Sequence, residues 1–120
     1  GCETGDAKLT RGHRLPARFV IHAVGPRYST PGCAALLASC YRKSLAIARE
    51  HGFETIAFPA ISTGIFGYPM REAADIAVHT IRAELADRDL PRKVILCTFG
   101  TESTQIAREA VALAPGALNP

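Results

Sequence analysis

The sequence predicts one α/β domain with a mixed, mostly parallel sheet flanked by helices on both faces, a three-layer α/β/α arrangement. Three observations lead to this fold class. Short apolar segments alternate along the chain with longer segments of helical periodicity. Glycine or proline stands near most of the boundaries between them. The length of 120 residues suits a single hydrophobic core, so we expect one domain over residues 1–120.

The first two elements are predicted strands. Residues 7–10 alternate small or apolar side chains with polar ones, and residues 19–24 are rich in β-forming side chains. A turn is expected at residues 12–16, and Gly25-Pro26 ends the second strand. Because the two segments are close in sequence, we expect them to pair antiparallel, with the first at the edge of the sheet.

A long helix is predicted over residues 33–51. Its apolar side chains recur at helical spacing, and most charged side chains lie off that stripe. The stripe consists of Leu37, Tyr41, Leu45 and Ala48. Gly52 is well placed as the glycine that ends the helix.

The rest of the chain alternates regularly. Strands are predicted at residues 56–58 and 93–99, and helices at residues 70–86 and 102–113. Residues 114–120 contain two prolines and are expected to fray. The predicted order is therefore β-β-α-β-α-β-α, which places most strands parallel, with helices covering the sheet.

The segment between the third strand and the second helix is the candidate site. Small side chains at Ser62, Thr63, Gly64 and Gly67 leave the backbone bare, and Pro69 suits the first position of a helix. A strand, a small-residue loop and a helix start form a common geometry for holding phosphate, because loop N–H groups and the helix dipole point at the anion. A glycine-containing turn that binds nothing is the alternative. Neither a P-loop nor a complete dinucleotide fingerprint is present.

Composition limits the classes of partner. No apolar run approaches the ~20 residues that span a bilayer, so no membrane association is expected. A net charge of +3 suits a small anionic ligand and is too weak and scattered to indicate nucleic-acid binding. We interpret Arg11, Arg14 and Arg18 as solvated loop residues.

Cysteines and histidines indicate no metal site, because neither set has ligand spacing. The residues are Cys2, Cys33, Cys40, Cys97, His13, His22, His51 and His79. Cys97 is expected to be inert core, Cys33 and Cys40 to be partly buried on one helix, and His22 to be a hydrogen-bonded core residue. A reduced, cytoplasmic setting is the simplest account of four such cysteines.

Four segments in the same order and spacing resemble the macro domain, the ADP-ribose-binding module. They are Thr4-Gly5-Asp6-Ala7-Lys8-Leu9-Thr10, the segment Phe19-Val20-Ile21-His22-Ala23-Val24-Gly25-Pro26, residues 56–69, and Val94-Ile95-Leu96-Cys97-Thr98-Phe99. The resemblance covers about residues 2–113. Residues 56–69 are most similar to the subgroup that removes mono-ADP-ribose from proteins and deacetylates O-acetyl-ADP-ribose.

The resemblance implies ADP-ribose, or an ADP-ribosylated protein, as the partner, and it implies no cofactor. Residues 62–67 match the loop that cradles the diphosphate. Phe66 matches the aromatic residue on the distal ribose, and Phe99 matches the one that stacks on adenine. With the loop's flanking residues, the predicted ligand-binding set is Ala60, Ile61, Ser62, Thr63, Gly64, Ile65, Phe66, Gly67, Tyr68 and Phe99.

The chain also departs from the family. The family's N-terminal portion supplies two strands, an Asn-Ala-Ala-Asn segment, a glycine-rich loop and an acidic residue, and none of these matches this sequence, whose only asparagine is Asn119. No catalytic residue is therefore assigned. One absent strand lies between the segments at 19–24 and 56–58, which leaves two apolar edges unpaired.

Three solutions to the unpaired edges are open. The remaining strands close on each other, a second copy covers the edges in a homodimer, or the chain is a piece of a longer product. Because the sequence starts at Gly1 within a motif, we favour a truncated or naturally shortened macro domain. Three functions follow: an ADP-ribose-binding module, a hydrolase of ADP-ribosyl groups, or a folding fragment or interaction module without ligand function.

Overall fold

The computed structural model describes residues 2–12 and 18–113. Most of the predicted turn at 12–16 and the predicted frayed tail at 114–120 lie outside these residues. The described elements, in chain order, are β1 (Ala7–Arg11), β2 (Phe19–Ala23), α1 (Cys33–Glu50), β3 (Thr55–Phe58), α2 (Met70–Leu85), β4 (Lys93–Leu96) and α3 (Gly100–Leu113). The predicted order of strands and helices is therefore confirmed.

The four strands pair in two directions. β1 and β2 are antiparallel, as predicted, with Ala7 opposite Ala23 and Arg11 opposite Phe19. β3 and β4 are parallel, with Phe58 opposite Leu96 at their ends. The pairs form two separate two-stranded sheets, and no ladder of the described residues joins β2 to β3. Direct closure of the remaining strands on each other, the first of the three solutions, is therefore not what the chain adopts.

Helix α1 contributes more buried apolar residues to the core than any other described element. The predicted stripe of Leu37, Tyr41, Leu45 and Ala48 is buried along its whole length. Burying a leucine side chain of this kind contributes about 1.5–3 kcal/mol. The helix ends at Glu50, and Gly52 follows with a left-handed φ of 70°. This conformation is costly for a residue with a β-carbon, so the glycine allows the chain to turn into β3.

Helix α2 packs between α1 and α3. Its inner face is buried at Ala73, Ala77 and Ile81. The small alanine side chains permit close packing of the helices around one apolar cluster. Its buried members are Leu37, Tyr41, Leu45, Phe58, Tyr68, Ala73, Ala77 and Ile81. None of the helices in the described ranges is long and apolar enough to cross a bilayer.

Three predictions about single residues need correction. β4 ends at Leu96, so Cys97 is exposed at an open edge and is not inert core. His22 lies on β2 and is hydrogen-bonded, as predicted, to the Thr10 Oγ1 at 2.9 Å, but it is exposed and is not a core residue. Pro69 is the cap residue, with an extended ψ of 132°, and not the first helical residue; α2 begins at Met70, as predicted for the helix itself.

Helix α3 begins two residues earlier than predicted. Gly100 takes a φ of 85°, and the Thr104 Oγ1 donates to the Gly100 carbonyl at 2.9 Å. The Thr98 and Thr104 hydroxyls also bond to each other at 2.6 Å. These side-chain bonds hold the connection from β4 into the helix.

Candidate functional site

The predicted loop connects the end of β3 to the start of α2 and is closed by its own hydrogen bonds. The Tyr68 N–H donates to the Ser62 carbonyl at 2.9 Å, and the Gly67 N–H donates to the Gly64 carbonyl at 3.0 Å. The Thr63 Oγ1 donates to the Ala60 carbonyl at 2.9 Å. These bonds hold the loop in one shape without a ligand.

The centre of the loop presents free donors. No backbone carbonyl of the described residues accepts from the N–H groups of Gly64, Ile65 or Phe66. Helix α2 begins directly afterwards, and no side chain caps its N-terminus. Unpaired loop N–H groups beside the positive end of a helix dipole are suited to an anion.

Gly64 leaves open space at this point. A β-carbon added there would meet no atom within 4 Å. Its φ lies outside the left-handed region, so backbone conformation alone does not require glycine at this position. The neighbouring Ile65 is 97% exposed. The loop surface is therefore open for a group to approach the backbone.

Ser62, at the base of the loop, has a left-handed backbone conformation and a buried hydroxyl. Its φ is 68°, in the left-handed region that costs a residue with a β-carbon about 1 kcal/mol or more. Its hydroxyl is buried and has no hydrogen-bond partner in the part of the chain that the structure describes. Gly25, just after β2, lies against it so closely that a β-carbon on Gly25 would overlap the Ser62 Oγ.

Phe66 is the exposed aromatic residue of the loop, with 36% of its surface accessible. The Arg27 guanidinium lies over its ring, 5.3 Å from the centroid. The Tyr28 N–H donates to the Phe66 carbonyl at 3.0 Å. The segment between β2 and α1 therefore supports the loop and brings a positive charge beside it.

Two tyrosines, Tyr28 and Tyr68, pack against each other beside the loop. The Tyr68 ring is buried and packs edge-on against Tyr28 at 5.0 Å. Burial and then a hydrogen bond with Cys33 raise the pKa of Tyr68 to about 12. The hydrogen bond to Glu72 raises the pKa of Tyr28. The Tyr68 ring belongs to the core, and its role in binding ligand stays a prediction.

Phe99 lies at the same end of the β3–β4 pair as the loop. The Cys97 N–H donates to the Phe58 carbonyl at 2.8 Å, which holds the two strand ends together. Phe99 follows two residues later and is 91% exposed. A cavity of about 40 Å³ between these strand ends and helices α2 and α3 is lined by Ala60, Thr63 and Cys97 among others. It is far smaller than a nucleotide pocket, for which 300–1,000 Å³ is typical.

The structure thus places residues 60–68 in one loop, and Phe99 follows the end of β4 at the same edge of the β3–β4 pair. Sequence reasoning missed Arg27 and Tyr28. The available signal was Gly25-Pro26, because a segment that leaves the end of β2 can reach the loop that leaves β3. No group of three or more His, Cys, Asp or Glu side chains among the described residues could hold a metal ion.

Comparison with known proteins agrees with this arrangement. The sequence profile of the Macro domain family matches residues 1–77. The chain belongs to the macro domain family. The predicted family and α/β fold class are therefore confirmed.

Three similar proteins illustrate the relationship. A macro domain-containing protein of Chlorobaculum tepidum is 54% identical over 114 residues, which cover 93% of this chain and 66% of that protein. The ADP-ribose glycohydrolase MACROD2 of Xenopus laevis is 52% identical over 82% of this chain and 25% of its own length. A mutant Oceanobacillus iheyensis macrodomain solved with ADPR is 38% identical, with a TM-score of 0.87 over 92% of this chain and 60% of that one.

This macro domain spans less than two thirds of these proteins' own lengths.

Proposed function

We propose that this macro domain binds ADP-ribose through residues 60–68. The observation that carries the proposal is the set of unpaired N–H groups at Gly64, Ile65 and Phe66, which face open space at the start of α2. They offer the donors that a diphosphate needs. Similarity to a macrodomain solved with ADPR supports the choice of ligand.

Each part of the ligand has a matching feature in this proposal. The diphosphate lies against the N–H groups of residues 64–66, where the positive end of α2 favours negative charge. The distal ribose packs on the exposed Phe66 ring, and the adenine stacks on Phe99. The Arg27 guanidinium, held over Phe66, adds a positive charge at the rim of the loop.

Calorimetric titration with ADP-ribose, ADP and AMP tests the proposal. We expect tighter binding of ADP-ribose than of ADP, because only ADP-ribose carries the distal ribose that packs on Phe66. AMP, which lacks the diphosphate, should bind most weakly. Equal affinity for all three nucleotides would contradict the assignment of the loop, and absence of binding to folded protein would contradict the function.

A second candidate is hydrolysis of ADP-ribosyl groups. The 52% identity to a protein named as an ADP-ribose glycohydrolase favours it. No residue of this chain has a catalytic assignment, so we expect turnover to be weak or absent. Incubation with a mono-ADP-ribosylated protein, beside the MACROD2 of Xenopus laevis as the reference, measures release of ADP-ribose. A rate comparable to that of MACROD2 would establish the hydrolase and contradict the expectation of weak turnover.

A further inference from the structure

Arg27 lies on the segment that joins β2 to α1, and the backbone around it is anchored on both sides. Pro26, the residue before it, is fully buried. Tyr28, the residue after it, donates its N–H to the Phe66 carbonyl at 3.0 Å. The Thr30 N–H donates to the Arg27 carbonyl at 3.0 Å and closes a turn. The backbone of Arg27 is therefore held beside the loop.

The side chain of Arg27 is exposed and keeps its positive charge. Its guanidinium lies over the Phe66 ring, 5.3 Å from the centroid. No carboxylate of the described residues forms an ion pair with it. The contact with an aromatic ring orients the guanidinium but does not neutralise it. The outer rim of the loop thus presents a cation that is available to an anionic group.

The charged side chains at the start of α2 have other partners. Glu72, in the first turn of the helix, accepts a hydrogen bond from the Tyr28 hydroxyl. Arg71, in the same turn, is paired with Glu109 on α3. Among these side chains of the described chain, Arg27 is therefore the one whose charge is left for a ligand.

The position of Arg27 relates it to one end of the proposed ligand. The inference rests on the proposed function, in which the diphosphate lies against residues 64–66 and the distal ribose packs on Phe66. When ADP-ribose is attached to a protein, the protein chain is joined to the distal ribose. A guanidinium over the Phe66 ring therefore lies where side chains next to the attachment point pass.

The chemistry of arginine selects a carboxylate at this place. Its guanidinium is permanently charged and presents a planar fork of N–H donors that matches the two oxygens of a carboxylate. A lysine or arginine at the same place in the attached protein would be repelled, and an amide would gain only a neutral hydrogen bond.

We propose that Arg27 is a specificity-determining residue that binds an aspartate or glutamate side chain next to the ADP-ribosylated residue of a partner protein. The substrate class is then ADP-ribosyl groups within acidic segments. The carboxylate that Arg27 binds is an unmodified neighbour, so the preference does not depend on which residue carries the ADP-ribosyl group.

A pair of synthetic peptides tests the proposal. Both carry ADP-ribose on the same serine oxygen, and glutamate flanks this serine on both sides in the first peptide and glutamine in the second. Calorimetric titration of the whole chain measures the two affinities. We expect the acidic peptide to bind about threefold to fivefold more tightly, which is the upper part of the range for an exposed ion pair. Added salt should weaken this preference, because it screens exposed charges.

Two variants with the same substitution locate the contact. Arg27→Met keeps an unbranched side chain beside the Phe66 ring and removes the charge. Arg92→Met is the matched control, because Arg92 is an exposed arginine just before β4, at the end of the β3–β4 pair away from the loop. We expect the preference for the acidic peptide to disappear in Arg27→Met and to persist in Arg92→Met. Both peptides carry the ADP-ribosyl group, so the ratio of their affinities does not depend on how tightly that group binds.

Titration with free ADP-ribose separates this inference from the proposed function. A folded parent chain that binds neither free ADP-ribose nor the peptides would contradict the proposed function. A parent that binds free ADP-ribose and both peptides, without a preference between them, would overturn the role of Arg27 alone. A preference that persists in Arg27→Met would overturn it as well. If Arg27→Met fails to fold, the salt dependence in the parent decides, since a preference unchanged by salt contradicts a contact between charges.

Discussion

Gly25 lies against Ser62 at the point where the end of β2 meets the base of the loop. A β-carbon on Gly25 would overlap the Ser62 Oγ and lie 2.5 Å from the Ile61 Cγ2. The absence of a side chain at this position lets the loop pack onto the end of β2. This contact fixes where the unpaired N–H groups of residues 64–66 stand relative to β2.

Replacing Gly25 by alanine tests this contact. The φ of Gly25 lies outside the left-handed region, so the expected effect is steric rather than conformational. We expect Gly25→Ala to lower the free energy of unfolding by about 1–3 kcal/mol, which is typical of overpacking. Urea denaturation measures it. Gly64→Ala is the matched control and should change stability by less than about 0.5 kcal/mol. Equal stability of the two variants would show that the contact is absent.

Ser62 carries both backbone strain and a buried hydroxyl without a partner. Ser62→Gly removes both, so we expect it to raise the free energy of unfolding of the free protein by about 1 kcal/mol. Ser62→Ala removes only the hydroxyl and should give a smaller gain. Denaturant unfolding without ligand compares the three proteins. A destabilised Ser62→Gly variant would mean that the hydroxyl has a partner after all.

The order of elements and the helix faces were predictable, and the resemblance implied unpaired edges on the strands at 19–24 and 56–58. Which of the three solutions the chain adopts was not predictable from the sequence. The stripe from Leu37 to Ala48 follows from helical periodicity, which is a local property of the sequence. The position of the loop followed from small residues between an apolar strand and a helix. Whether β2 pairs with β3 depends instead on contacts across the chain, such as those of Phe19 with Phe53, that no periodicity encodes. The same limit explains why Arg27 beside Phe66 was missed.

Tyr41 makes stability sensitive to alkaline pH. Burial raises the pKa of Tyr41 to about 12, from a model-compound value of 10.0. The neutral phenol is therefore favoured by folding. Its contribution is complete below pH 10 and is lost as the pH rises towards 12. The difference in the pKa of Tyr41 between the folded and the unfolded state corresponds to roughly 2–3 kcal/mol of the free energy of unfolding.

Unfolding by urea at pH 9 and pH 12 checks this expectation. Tyr41→Phe keeps the ring against Phe58 and removes the titrating group. We expect the parent to lose roughly 2 kcal/mol more than Tyr41→Phe between the two pH values. Equal losses would show that Tyr41 titrates alike in the folded and unfolded states.

Replacing Phe99 by alanine tests ligand binding with little expected change in the stability of the protein. It is 91% exposed, so Phe99→Ala should change the free energy of unfolding by less than about 0.5 kcal/mol. If adenine stacks on this ring, the affinity for ADP-ribose should fall about tenfold, since aromatic stacking contributes about 0.5–1.5 kcal/mol beyond the buried area. Phe99→Tyr should retain the affinity. Unchanged binding by Phe99→Ala would place the adenine elsewhere.

The central claim is that a diphosphate lies against the backbone of the loop at Gly64, and a paired calorimetric titration tests it most directly. The parent and Gly64→Glu are titrated with ADP-ribose after their melting temperatures have been compared. Open space at Gly64 allows the variant to fold like the parent, while its side chain and negative charge occupy the place of the phosphate. We predict equal melting temperatures, binding by the parent, and at least a hundredfold loss of affinity in the variant. Equal affinity of the two proteins would contradict the assignment of the loop.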